Sequence, residues 1–299
     1  MEISEEDIEK YYKSGEILAK ALKKTKTIVK PGKKVVDICN FAENEILSQG
    51  AHLAFPLNLG INEIAAHYSS NSNDNTVIPD EGLVKIDLGA NIDGFLSDSA
   101  ITINIDGNEK FEKFIIAAET SLLSAIKIIK AGVKISRVGE IVEKIINKFN
   151  LKPIRNLSGH QIKQYNLHAG ISVPNIAQTM DRDYKFKEGD VFALEPFTTD
   201  GAGLVYSGNK TYIYALSKKK GKNLPSHLTN IINDIWSARK KLPFSLRWYK
   251  DIPNRYFKQL IRMNLFDKYP VLIEAKNGKV AQAEHTILVH KDSCTILTK

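Results

Sequence analysis

The 299-residue chain carries 42 Lys and Arg against 34 Asp and Glu, a formal net charge of +8, with 43% hydrophobic and 25% charged residues. That is the composition of an ordinary globular protein with a sizeable core, enough for one large domain or two small ones. No apolar run approaches the roughly 18 residues of a membrane span. Cys39 and Cys294 are too few for a disulfide framework, and the acidic start MEISEEDIEK does not resemble a signal peptide, so a reducing cytoplasm is the expected setting.

Residues 4–29 read as a helix, with Ile8, Tyr11, Tyr12, Ile17, Leu18, Ala21 and Leu22 at helical spacing, Ser4 and Asp7 as a capping pair, and Pro31-Gly32 as the stop. A second helix is predicted over 33–49, closed by Gly50. Residues 51–105 hold short apolar runs broken by Asn, Gly, Pro and Asp, the pattern of strands and turns. Two helices follow at roughly 109–130 and 136–149, then a strand-rich stretch over 153–215, then helices at 226–240 and 253–266. The end, 271–297, is predicted to form a hairpin around Asn277-Gly278. Strand blocks with helical pairs between them, without regular βαβ alternation, indicate a mixed α+β domain. The lysine-rich segment of about 208–270 reads as an inserted helical subdomain. The basic excess, including Lys218-Lys219-Lys220, reads as solvated surface. Base-reading motifs with interleaved aromatics are absent, so a nucleic-acid or ribosome contact is the lesser reading.

The most informative stretch is LVKIDLGANIDGFLSDSAITINI, residues 83–105. Asp87 and Asp98 lie in consecutive strands around the turn at Asn91-Ile92-Asp93-Gly94. A four-residue loop sets them directly opposite each other, whereas a two-residue loop at 93–94 makes them diagonal neighbours. Either register places both carboxylates on one face within about 5–8 Å; a three-residue loop would split them between faces. Two ionised carboxylates on a mostly buried sheet are costly unless a cation lies between them, although a strand aspartate taken alone is more often an edge or turn residue.

Three further segments add His160 and His168, Glu195 within VFALEPF, and Glu284 in Ala281-Gln282-Ala283-Glu284-His285-Thr286. Each could be a structural salt bridge by itself. Together, two Asp, two Glu and one His suit Mn, Fe, Co or Zn, and carboxylates bridging two ions make a hydrolytic site. Without a cysteine cluster a structural zinc cage is ruled out. His52, His227 and His290 lie in no suggestive context, His285 is expected to face away from Glu284, and His67 and His168 are ambiguous.

Seven segments then match one family in order: Ala54-Phe55-Pro56, Ile61 to Tyr68, Lys85 to Gly89, Asn156 to His160, Leu167 to Gly170, Phe192 to Phe197 and Gln282 to Thr286. The chain resembles the type 2 methionine aminopeptidases, in the short form without a charged N-terminal extension. The resemblance implies the pita-bread fold of two pseudo-symmetric halves. It implies two divalent ions held by Asp87, Asp98, His160, Glu195 and Glu284, with Asp98 and Glu284 contacting both. It gives His67 and His168 catalytic roles beside the metals, with Glu195 shuttling a proton and His67 the site of epoxide attack. Phe55, Leu167, Phe197 and Tyr269 would surround the methionine side chain, although any one of them could equally be core packing. The expected activity is removal of the initiator methionine from nascent proteins by a cytoplasmic monomer, with at most a transient ribosome contact. The rivals are a proline-specific aminopeptidase or dipeptidase of the same fold, and a non-enzymatic RNA- or ribosome-binding relative.

Overall fold

The computed structural model describes residues 4–178, 183–217 and 224–299; the cluster Lys218-Lys219-Lys220 lies outside them. In chain order the elements are α1 (Glu5–Ile28), α2 (Val35–Leu47), β1 (His52–Ile61), β2 (Ile64–Ala66), β3 (Leu83–Ile92), β4 (Phe95–Asn104), α3 (Glu109–Ile126) and α4 (Ser136–Lys148). There follow β5 (Lys152–Pro153), β6 (Ser158–Ile162), β7 (Ser172–Pro174), β8 (Val191–Leu194), β9 (Phe197–Thr199), β10 (Val205–Leu216), α5 (Ser226–Arg239), β11 (Phe244–Ser245), α6 (Asn254–Arg262), β12 (Phe266–Glu274), β13 (Val280–Gln282), β14 (His285–Val289) and β15 (Cys294–Ile296).

Ser4 caps α1 by accepting the Asp7 backbone N–H, and three acidic residues fill the first turn, where the helix dipole favours them. The buried stripe of α1, including Leu18, Ala21 and Leu22, joins Ile38 and Ile46 of α2 and Leu57, Leu59, Ile86 and Leu88 of β1 and β3 in one core. A second core sets Phe114, Leu122, Val138 and Ile146 of α3 and α4 against Phe192, Ile287 and Val289 of β8 and β14. Each half is therefore a helix pair on an antiparallel sheet, β1-β3-β4 in the first and β15-β14-β8-β6-β7 in the second. A third cluster joins the halves: Ala54, Phe55 and Leu96 from one meet Ile162, Leu167 and Ala193 from the other.

The β3–β4 hairpin closes through a two-residue loop, with Ile92 opposite Phe95. Both loop residues are left-handed, Asp93 at φ 52° and Gly94 at φ 91°, the turn whose twist matches that of the strands. Of the loop lengths left open by the sequence, this one sets Asp87 opposite Ala100 and Gly89 opposite Asp98, so the two acidic residues are diagonal neighbours.

The expected C-terminal hairpin does not form. Asn277 is left-handed (φ 56°) and the chain turns there, but β12 pairs with β10 and β2 whereas β13 pairs with β9. The turn instead wraps the fully buried Glu274 carboxylate, which accepts N–H groups from Lys276, Gly278, Ala202 and Gly203. Those hydrogen bonds hold the carboxylate below its ordinary pKa against the opposing effect of burial. The strands are thus directed into different sheets by a buried anion within the turn.

Within 208–270, the helices occupy 226–239 and 254–262, and the margins are strands of the sheet β11-β10-β12-β2. The helix predicted to reach residue 266 ends at Arg262, because Asn264 turns left-handed (φ 55°) and β12 begins at Phe266. Leu228, Ile235, Phe244, Phe257, Leu260 and Phe266 give this region its own core. It is tied to the first half by a buried ion pair, Arg247 with Glu43 of α2, at 2.7 Å.

Candidate metal centre

Strand β3 delivers Asp87, β4 Asp98, β6 His160, the end of β8 Glu195, and the link between β13 and β14 Glu284. All five line one cleft of about 230 Å³, together with His67, His168, Phe55, Leu167, Phe197 and Tyr269. Ligand-type atoms of Asp98, His160 and Glu284 lie within 4.8 Å of one another. His160 Nε2 is 3.5 Å from Asp98 Oδ2 and 3.7 Å from Glu195 Oε1. His52, His227 and His290 do not line the cleft. His285 faces elsewhere, its Nδ1 2.9 Å from Thr298 Oγ1.

Local chemistry explains this convergence. Residues 282–286 run beside β4 and are joined to it mostly by hydroxyls. Thr102 Oγ1 donates to Gln282 O at 2.7 Å and accepts its N–H at 2.8 Å, and Ser99 Oγ donates to Glu284 O at 2.7 Å. Thr286 Oγ1 donates to Asp98 O and accepts the Asp98 N–H, both at 2.7 Å. The Glu284 N–H reaches Ala100 O at 3.0 Å. Asp98 and Glu284, from opposite halves, are thereby held in a fixed relation. Gln282 Nε2 donates to Glu284 Oε2 at 3.2 Å and orients that carboxylate. Gly89 makes room for the cleft wall: a Cβ there would lie 2.4 Å from a Phe55 ring carbon.

The electrostatics call for a cation. Burial, then the neighbouring Asp98, raises the Asp87 pKa well above the carboxylate range, and burial lifts Asp98 to about 7. Glu195 and Glu284 are raised by burial and by the other carboxylates. Burial lowers His160 and His67 to about 4 and His168 to about 3, so these imidazoles are neutral. Asp87 Oδ1, Asp98 Oδ1 and Glu284 Oε1 are buried with no hydrogen-bond partner. Unpartnered carboxylate oxygens beside a neutral imidazole are acceptors without donors, and a divalent ion supplies what they lack.

The profile of metallopeptidase family M24 matches residues 9–291. The chain belongs to that family. The methionine aminopeptidase of Saccharolobus solfataricus is 41% identical over 304 aligned residues, which cover 99% of each chain; the present chain groups with such enzymes. Among solved structures, the methionine aminopeptidase of Thermotoga maritima superposes with a TM-score of 0.74 at 20% identity, over 99% of this chain and 98% of that one. A thermophilic Arx1 superposes with a TM-score of 0.84 at 17% identity, over 99% and 91%. At such identities these structures speak for the fold, which is the pita-bread arrangement expected from the sequence. Membership of a metallopeptidase family agrees with the cation-seeking chemistry of the cleft.

Sequence reasoning missed other lining residues, notably Asn58, Ile213 and Pro243. Ile213 and Pro243 come from the 208–270 region and carry no local signal. The position of Asn58 opposite Asp87 could have been found only by pairing β1 with β3.

Proposed function

We infer that the chain is a metallo-aminopeptidase that removes the N-terminal methionine from proteins. The observation that carries this is the convergence of four carboxylates, Asp98 and Glu284 buried and Asp87 and Glu195 half-buried, and a neutral imidazole in one cleft walled by Phe55, Leu167, Phe197 and Tyr269. In this reading Asp87, Asp98, His160, Glu195 and Glu284 would hold two divalent ions, of Mn, Fe, Co or Zn. When bound, such ions polarise a carbonyl and bring the pKa of a water towards neutrality.

The chain's own groups do the rest. Glu195 accepts a proton from the attacking water and passes it to the leaving amide nitrogen. His168 donates to the carbonyl oxygen as negative charge develops there, an effect typically worth about 10²–10³ in rate. His67 lies on the same wall, its ring edge-on to Tyr269 with centroids 5.6 Å apart, and hydrogen-bonds the scissile amide. Carboxylates around the ions favour a free α-amino group nearby, which restricts action to the first peptide bond. The apolar walls receive an unbranched side chain; because one methylene changes binding by only about 1–3 kcal/mol, norleucine is rejected poorly. Substrates are nascent chains with small second residues, the enzyme acts as a monomer of the type 2 class, and 208–270 is the inserted subdomain of that class. Any ribosome contact is transient.

A comparison of a Met-Ala-Ser peptide with Xaa-Pro peptides on the cation-loaded enzyme tests this reading. Cleavage confined to Met-Ala-Ser is expected. Preferential cleavage of Xaa-Pro would overturn it in favour of a proline-specific relative, and no cleavage of either would favour a non-enzymatic one.

A further inference from the structure

His67 occupies a backbone conformation that side-chain-bearing residues rarely adopt, φ 63°. Such a residue persists only when its surroundings hold it there, and two contacts do so. Its backbone N–H donates to Asn58 Oδ1 at 2.9 Å, and its ring Nδ1 lies 3.2 Å from the Pro270 carbonyl oxygen. A carbonyl only accepts, so Nδ1 carries the proton and Nε2 is left as a lone-pair acceptor.

Asn58 is suited to this task by its position. It is buried, lines the cleft and stands opposite Asp87 in the β1–β3 pairing. The β1 register shifts between Phe55 and Asn58, and Asn58 Nδ2 donates to Pro56 O at 3.2 Å across that irregularity. Its amide is thus fixed at the nitrogen end, which aims the oxygen at residue 67. Bulges re-aim side chains beside active sites in this manner.

We propose that Asn58 is a positioning residue for His67: by accepting the His67 N–H it holds the left-handed backbone that seats the imidazole against Pro270 O and presents an unprotonated Nε2 to the substrate amide. Because Asn58 also pairs across the sheet with Asp87, one strand sets both the acidic residue and the imidazole. The proposal rests on the aminopeptidase reading for its effect on catalysis, whereas the hydrogen bonds it describes can be measured without substrate or cation.

The test uses the full chain, histidine-labelled with ¹⁵N and stripped of metal, as wild type, Asn58→Leu (similar shape, no acceptor) and Asn58→Asp (acceptor retained). Long-range ¹H–¹⁵N correlation should show His67 as the Nδ1–H tautomer, with a hydrogen-bonded backbone amide, in wild type and in Asn58→Asp. In Asn58→Leu the amide should lose its protection and the ring should average between tautomers. On Met-Ala-Ser with Mn²⁺, Asn58→Leu should lower kcat about tenfold, the rate equivalent of about 1.4 kcal/mol, with KM within about twofold of wild type. If Asn58→Leu does not fold, Asn58→Ser, whose hydroxyl is too short to reach, makes the same comparison. A His67 spectrum unchanged in the variant lacking the acceptor would overturn the proposal, as would an undiminished kcat. A wild-type protein inert towards Met-Ala-Ser would instead defeat the aminopeptidase reading, and the metal-free spectra would still decide the role of Asn58.

Discussion

Replacing Glu43 by Leu should destabilise the protein far more than an ordinary surface change. Glu43 is 4% exposed on α2. Its carboxylate accepts from Arg247 Nη1 at 2.9 Å, Arg247 Nη2 at 2.7 Å, Trp248 Nε1 at 2.8 Å and the Leu57 N–H at 3.2 Å. Arg247 is itself 5% exposed, and its guanidinium also donates to Asn40 Oδ1 and Ser70 O. Removing one member of a buried pair leaves an uncompensated charge, at a cost of about 3–5 kcal/mol. At about 2.1 cal/mol/K per residue, the unfolding entropy of 299 residues is about 0.6 kcal/mol/K, so a loss of 4 kcal/mol lowers Tm by about 6 °C. The double variant Glu43→Leu/Arg247→Met removes both charges and should recover most of that loss. Thermal unfolding of wild type, both singles and the double gives the coupling directly. A drop of under about 2 °C for Glu43→Leu, or a double variant no better than the single, would refute the idea that this pair fastens the helical region of 208–270 to the first half. Because Ile213, Pro243 and Tyr269 reach the cleft from that region, KM for methionyl peptides should rise in Glu43→Leu at temperatures where it remains folded.

Cation binding should be linked to pH in a definite direction. Asp98 titrates at about 7 and the other three carboxylates lie above their ordinary range, so the metal-free folded protein holds protons that the unfolded chain releases near pH 4. For Asp98 that contribution to stability is present below about pH 4 and is lost as pH rises through about 7; the other three act in the same direction. The depressed histidines act in the opposite sense, but only below about pH 6.5, where the unfolded chain is protonated. A cation displaces the carboxylate protons, so stabilisation by Mn²⁺ should grow between about pH 6 and 8. Titration calorimetry in buffers of different ionisation enthalpy should show proton release at pH 7, and none would contradict the raised carboxylates. Replacing His168 by Ala should lower kcat about 10²–10³-fold with cation content unchanged. His67→Ala should likewise lose turnover while keeping its metal, measured by elemental analysis; loss of the ions in that variant would mean that His67 is a ligand.

Much of the site was legible because its residues sit in short local motifs whose chemistry conflicts with their surroundings. Glu195 stands at the end of the wholly buried strand β8, VFAL, and Asp98 lies within a buried run of β4. A charge in such a place signals either a partner or an ion. The turn around Asn91 to Gly94 left three loop lengths open, two of which put both carboxylates on one face, and the left-handed geometry of Asp93 and Gly94 selects the two-residue loop. Long-range choices were not legible. Asn277-Gly278 has the composition of a hairpin turn, yet its strands diverge because Glu274 gathers backbone donors from residues 202–203 as well as 276–278. Nothing local reveals where those donors come from. In the same way Asn58 gains its meaning only from Asp87 across the sheet and from His67 nine positions on.

The most direct test is to strip the protein of metal, restore Mn²⁺ or Co²⁺ stepwise, and follow bound metal and Met-Ala-Ser cleavage in the same samples, in wild type and in Asp98→Asn. Cleavage should be absent from the stripped protein, return in proportion to occupancy in wild type, and fail to return in a folded Asp98→Asn that retains fewer ions. Full cleavage without metal, or a fully active Asp98→Asn, would contradict the claim that these carboxylates grip catalytic cations.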